Sequence, residues 1–155
     1  MMYLHKIMIV LLFPLLLIGC GTDSANDSTK HNNQSIELTN TAANSPIDQQ
    51  PANQAKRALS QYDGITSVKA VNTKDELLIA VEIEHHRRFK LENTRKELTK
   101  QMKKQFPNLK VELSTDQKIN LELEKLEKEL QSKAIPKKEL TKEIKQLIKL
   151  TKEKT

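Results

Sequence analysis

Glu76-Leu77-Leu78-Ile79-Ala80-Val81-Glu82-Ile83-Glu84 decides the fold. Successive side chains of a strand point to opposite faces of a sheet. Leu77, Ile79, Val81 and Ile83 therefore share one face, and Leu78, Ala80, Glu82 and Glu84 share the other. This period of two, built on β-branched and leucine side chains, predicts a strand. The first face is apolar throughout, whereas the second turns from apolar to charged, as expected where a sheet runs out into water.

Upstream, Ile65 to Val71 is short and partly alternating, and Asn72-Thr73-Lys74-Asp75 supplies turn residues, so the two runs form a hairpin. Before it, Ala55, Ala58, Leu59 and Tyr62 fall at i, i+3, i+4 and i+7, one face of a helix entered near Pro51. Asp63-Gly64 ends that helix, with Gly64 suited to the left-handed C′ position. Downstream, Leu91, Leu98, Met102 and Phe106 form a helical stripe that stops at Pro107. Leu109, Val111 and Leu113 then alternate with Lys110 and Glu112 as a third strand. Ser114-Thr115-Asp116-Gln117 has the form of a capping box. The helix it opens carries Ile119, Leu123, Leu126 and Leu130 on one side, with Leu121 off the stripe and Glu124–Lys128 as a favourable i, i+4 pair. Ile135-Pro136 interrupts the run, and Lys137 to Lys152 places Leu140, Ile144, Leu147 and Ile148 on a last helical face.

The order helix-strand-strand-helix-strand-helix predicts an α+β fold, a small three-stranded sheet covered by amphipathic helices. Four segments follow. Residues 1–19 are a signal peptide, 20–50 a polar tether, 51–133 the domain and 134–155 a lysine-rich amphipathic helix. The tether has too few apolar residues to offset its chain entropy, so disorder is expected there. The tail helix suits three roles: contact with a membrane surface, packing on the domain, or pairing with a second chain. Deleting 134–155 is expected to leave a folded domain with weaker contact to anionic surfaces.

The amino terminus supplies an address. His5 and Lys6 precede an apolar run from Ile7 to Ile18, broken only by Pro14, and Leu17-Ile18-Gly19-Cys20 closes it with the one cysteine of the chain. The run is shorter than the roughly 20 residues of a spanning helix and has the layout of a secretory signal. It resembles the lipobox of bacterial lipoproteins. That resemblance implies a diacylglycerol and an N-acyl chain such as palmitate on Cys20, which anchor the mature protein to the extracytoplasmic face of a membrane. With Cys20 acylated no thiol is left for a disulfide.

Charge narrows the partners. The 155 residues include 26 Lys and Arg against 20 Asp and Glu, a net charge of +6. Residues 21–53 carry one lysine against Asp23, Asp27, Glu37 and Asp48, so the basic excess lies in the domain and tail. A basic surface favours polyanions. Nucleic acid is not expected, because the chain has no tryptophan and only Tyr3 and Tyr62 as tyrosines, too few to stack bases. His85-His86-Arg87-Arg88 is a compact basic cluster and a candidate anion contact, since arginine can clamp phosphate or carboxylate with its planar fork. Two adjacent histidines on an extended chain point apart and cannot share a metal ion without a turn. Glu82 and Glu84 could pair, but acid–base work needs a pocket that shifts their pKa values. The glycines are Gly19, Gly21 and Gly64, which leaves no phosphate-cradling loop. No enzyme, metal or cofactor is therefore expected.

The chain resembles the YhcN/YlaJ-type sporulation lipoproteins of spore-forming Gram-positive bacteria. The resemblance rests on Leu-Ile-Gly-Cys at 17–20, the polar tether and the alanine-rich helix before Gly64. Val68-Lys69-Ala70-Val71, Leu78-Ile79-Ala80-Val81, the basic segment 85–88 and Pro107 to Asp116 continue the pattern. It covers residues 1 to about 131 and treats the lysine-rich extension after Lys133 as a departure. It implies a lipoprotein of the spore envelope, concerned with sporulation or germination. The implied role is non-enzymatic binding or scaffolding, with membrane lipid, envelope proteins or anionic surface polymers as partners. The alternative is an envelope lipoprotein of growing cells that binds polyanions or membrane surfaces. The element order also looks like that of BON domains, an analogy of fold alone.

Overall fold

The computed structural model describes residues 45–153. Its elements are α1 (Gln50–Leu59), β1 (Ile65–Asn72), β2 (Glu76–Ile83), a 3-10 turn (His85–Lys90), α2 (Leu91–Gln105), β3 (Lys110–Ser114), α3 (Gln117–Ser132) and α4 (Lys137–Glu153). The fold is α+β as expected, with a three-stranded mixed sheet in the order β1-β2-β3. β1 runs antiparallel and β3 parallel to the central β2. The signal segment, Cys20 and residues 20–44 of the tether lie outside the described residues. The last residues assigned to the tether meet the domain, where Ile47 packs against a core and Gln49 is buried.

Register puts like with like. Val68 faces Val81 and Ala70 faces Ile79 across the hairpin, while Leu77 and Ile79 align with Val111 and Leu113 of β3. This face is closed by Ala52, Ala55 and Leu59 of α1, Leu98 and Met102 of α2, and Phe106. The opposite face follows the expected change from apolar to charged. Leu78 and Ala80 are fully buried with Val71, under α3 and α4, and Glu82 is half-buried. The alternation of β2 is therefore buried on both sides, and its charged end begins only at Glu82. The second core extends over β1 and β2, because β3 offers Lys110, Glu112 and Ser114 to that side.

Among the three roles considered for the tail, packing on the domain is the one the fold displays. Ile135, Leu140, Ile144 and Ile148 share the second core with Leu123, Leu126 and Leu130. Each fully buried side chain of this size contributes about 1.5–3 kcal/mol. A domain complete without 134–155 is thus no longer the expectation, since deletion would uncover half of that core.

Two local assignments also change. Gly64 is not the C′ residue of α1, whose C-cap is Ser60. It has φ +85° immediately before β1, and its carbonyl accepts from the Glu84 amide at 2.9 Å. α3 is capped by Asp116, whose carboxylate accepts from the Lys118 amide at 2.7 Å, and not by Ser114 of the predicted capping box. The Ser114 hydroxyl instead accepts from the Asp116 amide at 3.1 Å and sets the approach to the helix.

The outer edge of β1 is closed by side chains. The Ala70 amide donates to Glu127 of α3 at 2.9 Å, and Glu127 is paired at 2.8 Å with Lys56 of α1. At the next outward position, Gln49 accepts from the Asn72 amide at 3.0 Å and donates to its carbonyl at 2.8 Å. The Asn72 side chain in turn accepts from the Ala52 amide at 3.1 Å, capping α1 from across the fold. A strand edge left unpaired invites pairing with another chain. Here a residue of each flanking layer prevents it.

Candidate functional site

The candidate anion cluster sits where β2 leaves the sheet. The 3-10 turn folds His85 to Lys90 back toward the start of β1, beginning with an Arg87 amide bond to the Glu84 carbonyl at 3.0 Å. The Arg87 side chain lies over Gly64. A Cβ at Gly64 would fall 2.5 Å from Arg87 Cδ and 2.8 Å from Nε, a contact that this flexible side chain can relieve by shifting, so it is the positive φ that favours glycine there. The guanidinium donates to the Asp63 carboxylate at 2.5 Å, and its Nε lies 3.4 Å from Glu84 Oε2. Arg87 therefore staples the open end of the hairpin and has its charge matched by two carboxylates.

His86 approaches the same Glu84 oxygen at 3.3 Å. His85, the first residue of the turn, is exposed. The four residues are thus contiguous, but two of them face carboxylates of the domain. A groove of about 310 Å³ opens beside them, lined by Tyr62, Ile65, Ile83, Arg87, Phe89 and Thr94 among others. Phe89 is 82% exposed at its rim. The site is amphipathic, with an aromatic lip and a neutralised arginine. Among the described residues, no three His, Cys, Asp or Glu side chains are grouped to hold a metal ion. Cys20 and His31 lie outside those residues.

Glu82 and Glu84 line a second open groove with Thr66, His85, Thr115 and Gln117. Both are half-buried, and Glu84 already faces His86 and Arg87.

The buried pair Lys56–Glu127 is the polar feature that sequence reasoning missed. Both side chains are 1% exposed. Desolvation lowers the Lys56 pKa below its ordinary value, an effect opposed by the adjacent Glu127 carboxylate. A signal was present. Lys56 falls between Ala52, Ala55 and Leu59 on the apolar face of α1, and Glu127 falls between Leu123, Leu126 and Leu130 on that of α3. Opposite charges on two core-facing stripes imply a partner for each, because an unpaired buried charge is too costly to keep.

The other charged surface is the outer side of α4, where Lys138, Lys142, Lys145, Lys149 and Lys152 are all exposed. Lys149 alone of these five has, among the described residues, a carboxylate within reach, Glu153 at 3.7 Å. Among the described residues, no helix is long and apolar enough to cross a membrane.

The family model of the sporulation lipoprotein YhcN/YlaJ matches residues 20–150, beginning at Cys20 and continuing into α4. The chain belongs to this family. The match corrects the expectation that family likeness stops near residue 131, because α3 and α4 share one core and the family model includes both. No curated protein and no solved structure matches the chain.

Proposed function

We propose that this sporulation lipoprotein is held by acylated Cys20 at the extracytoplasmic face of the cell or spore membrane. In this reading it serves there as a non-enzymatic binding or scaffolding module in spore formation or germination. The observation that carries this reading is the family match starting at Cys20, the residue on which the apolar run of the amino terminus converges. Two acyl groups hold a protein on a membrane stably, whereas one binds reversibly. The domain supports a binding role over a catalytic one. Its grooves are open, and Arg87 and Glu84, which line them, are engaged with each other.

The test is Cys20→Ser in the sporulating organism. Wild-type protein should incorporate labelled palmitate and fractionate with membranes, and the variant should do neither. A variant that stays labelled and membrane-bound ends the anchoring reading. Expression confined to the forespore supports the sporulation role. Steady expression in exponential growth favours a polyanion-binding envelope protein instead.

A further inference from the structure

We infer that the lysine row of α4 is a docking surface for anionic phospholipid headgroups, which sets one face of the domain against the bilayer. This rests on the anchoring reading above and adds a second, electrostatic contact.

Three observations carry it. The first is geometry. Lys138, Lys142, Lys145, Lys149 and Lys152 recur at spacings of four and three residues. At about 100° per residue they occupy a sector about 80° wide. At about 1.5 Å per residue the row extends about 21 Å along the helix. The core residues Leu140, Ile144 and Ile148 lie on a different side, so the row points away from the domain.

The second is the placement of acids. Glu139 and Glu143 of α4 interact with Lys133 and Glu129 at the end of α3, away from the row. Four of the five lysines thus have no carboxylate within ion-pair distance among the described residues. On α3, by contrast, Lys125, Lys128 and Lys133 each pair with a glutamate one turn away, at 3.0, 2.7 and 3.0 Å.

The third is residue type and shape. The row holds no arginine, and four of its lysines line an open surface depression with Thr141 and Gln146. Ammonium groups on four-carbon stems are point charges without a fixed fork, which suits a fluid array of headgroups better than one bound phosphate ester. Anchoring supplies proximity. The 25 residues from Cys20 to Ser45 extend at most about 90 Å, so the domain stays near the bilayer and weak contacts become effective. Each lysine near an anionic leaflet contributes about a fivefold factor.

The test uses the full acylated chain purified from membranes and reconstituted in vesicles of phosphatidylcholine alone or with phosphatidylglycerol. An amine-reactive reagent reads the exposure of each lysine, and flotation reads anchoring. We expect flotation with both vesicles. With phosphatidylglycerol only, labelling at Lys138, Lys142, Lys145 and Lys149 should fall severalfold relative to Lys125 and Lys128. This protection should vanish at 1 M salt, where the Debye length shrinks to about 3 Å. The variant K142Q/K145Q/K149Q should still float while Lys138 and Lys152 label equally in both vesicles. Equal labelling of wild-type α4 overturns the docking surface, and so does protection confined to the lysines of α2. Protection by added glycerol-phosphate polymer but not by phosphatidylglycerol would make the partner a wall polymer and overturn the lipid assignment. Failure to float with phosphatidylcholine would count against the anchor alone, and salt-sensitive α4 protection on phosphatidylglycerol would then still support docking.

Discussion

α3 and α4 share one core and present opposite surfaces. Both bury a leucine and isoleucine row in the second core, and both turn lysines outward. On α3, glutamates at i−3 and i−4 neutralise Lys125 and Lys128. On α4, Glu139 and Glu143 fall beside α3, and the outward sector keeps its charge. Composition already separates the two helices, with 3 Lys against 4 Glu on α3 and 6 Lys against 3 Glu on α4. The phase of acid relative to base around each helix sharpens the difference, because only residues three or four apart on one face meet.

α4 is a partner of α3 in the core, and its removal is the severest perturbation of that pairing. Deleting 134–155 uncovers Leu123, Leu126 and Leu130 and discards Ile135, Leu140, Ile144 and Ile148. Four such side chains carry on the order of 6–12 kcal/mol, similar to the whole stability of a small domain at about 5–15 kcal/mol. The truncated chain should therefore lose its cooperative thermal melt. A melt close to that of the intact chain would show α4 to be an appendage.

The helices differ inside the core as well, since α3 buries a charge and α4 buries none. Glu127→Ala strands Lys56 and the Ala70 amide and should cost about 3–5 kcal/mol in urea unfolding. Thr151→Ala, the polar truncation available on α4, should cost about 1 kcal/mol. Equal losses would mean that Glu127 is not the clasp of the β1 edge. The pair also leaves a pH signature. The Lys56 pKa is lowered from 10.5 by burial, so the unfolded chain holds that proton more tightly than the folded one. Stability from this group is then gained as pH rises toward 10.5 and lost as pH falls through the lowered value. The margin of wild type over Lys56→Met should accordingly widen between neutral pH and about pH 10, measured by urea unfolding at both.

At the helix start, Asp116→Ala should cost about 0.5–2 kcal/mol, the usual worth of an N-cap. Ser114→Ala should cost less, because Ser114 bonds the chain ahead of the helix. The reverse order would restore the capping box. The smallest effect lies in the surface lysines. Lys128→Gln should lower the melting temperature slightly at low salt and not at 1 M, as expected for an exposed pair. Lys145→Gln should leave it unchanged or raise it, since it removes repulsion within the row. A loss at Lys145 like that at Lys128 would mean that α4 is also neutralised.

Periodicity determined much of this protein. Alternation placed β2 and β3, helical spacing placed all four helices, and the apolar run into Cys20 marked the point where the family match begins. These readings succeed because each depends on residues within a few positions of one another. Tertiary structure decided the rest. The second face of β2 shows two apolar positions, Leu78 and Ala80, before Glu82, and no local rule shows that two helices some forty to seventy residues downstream will cover them. Gly64 reads as a helix cap, whereas its left-handed backbone serves the entry to β1, and the Glu84 amide that donates to its carbonyl lies across the hairpin. Lys56 and Glu127 are 71 residues apart, and each lies on an apolar stripe that by itself does not name its partner. Local sequence determines how a segment curls and which face is apolar. Packing in space chooses what that face meets and which charges remain for a partner, because burial and pairing depend on the neighbours that folding supplies.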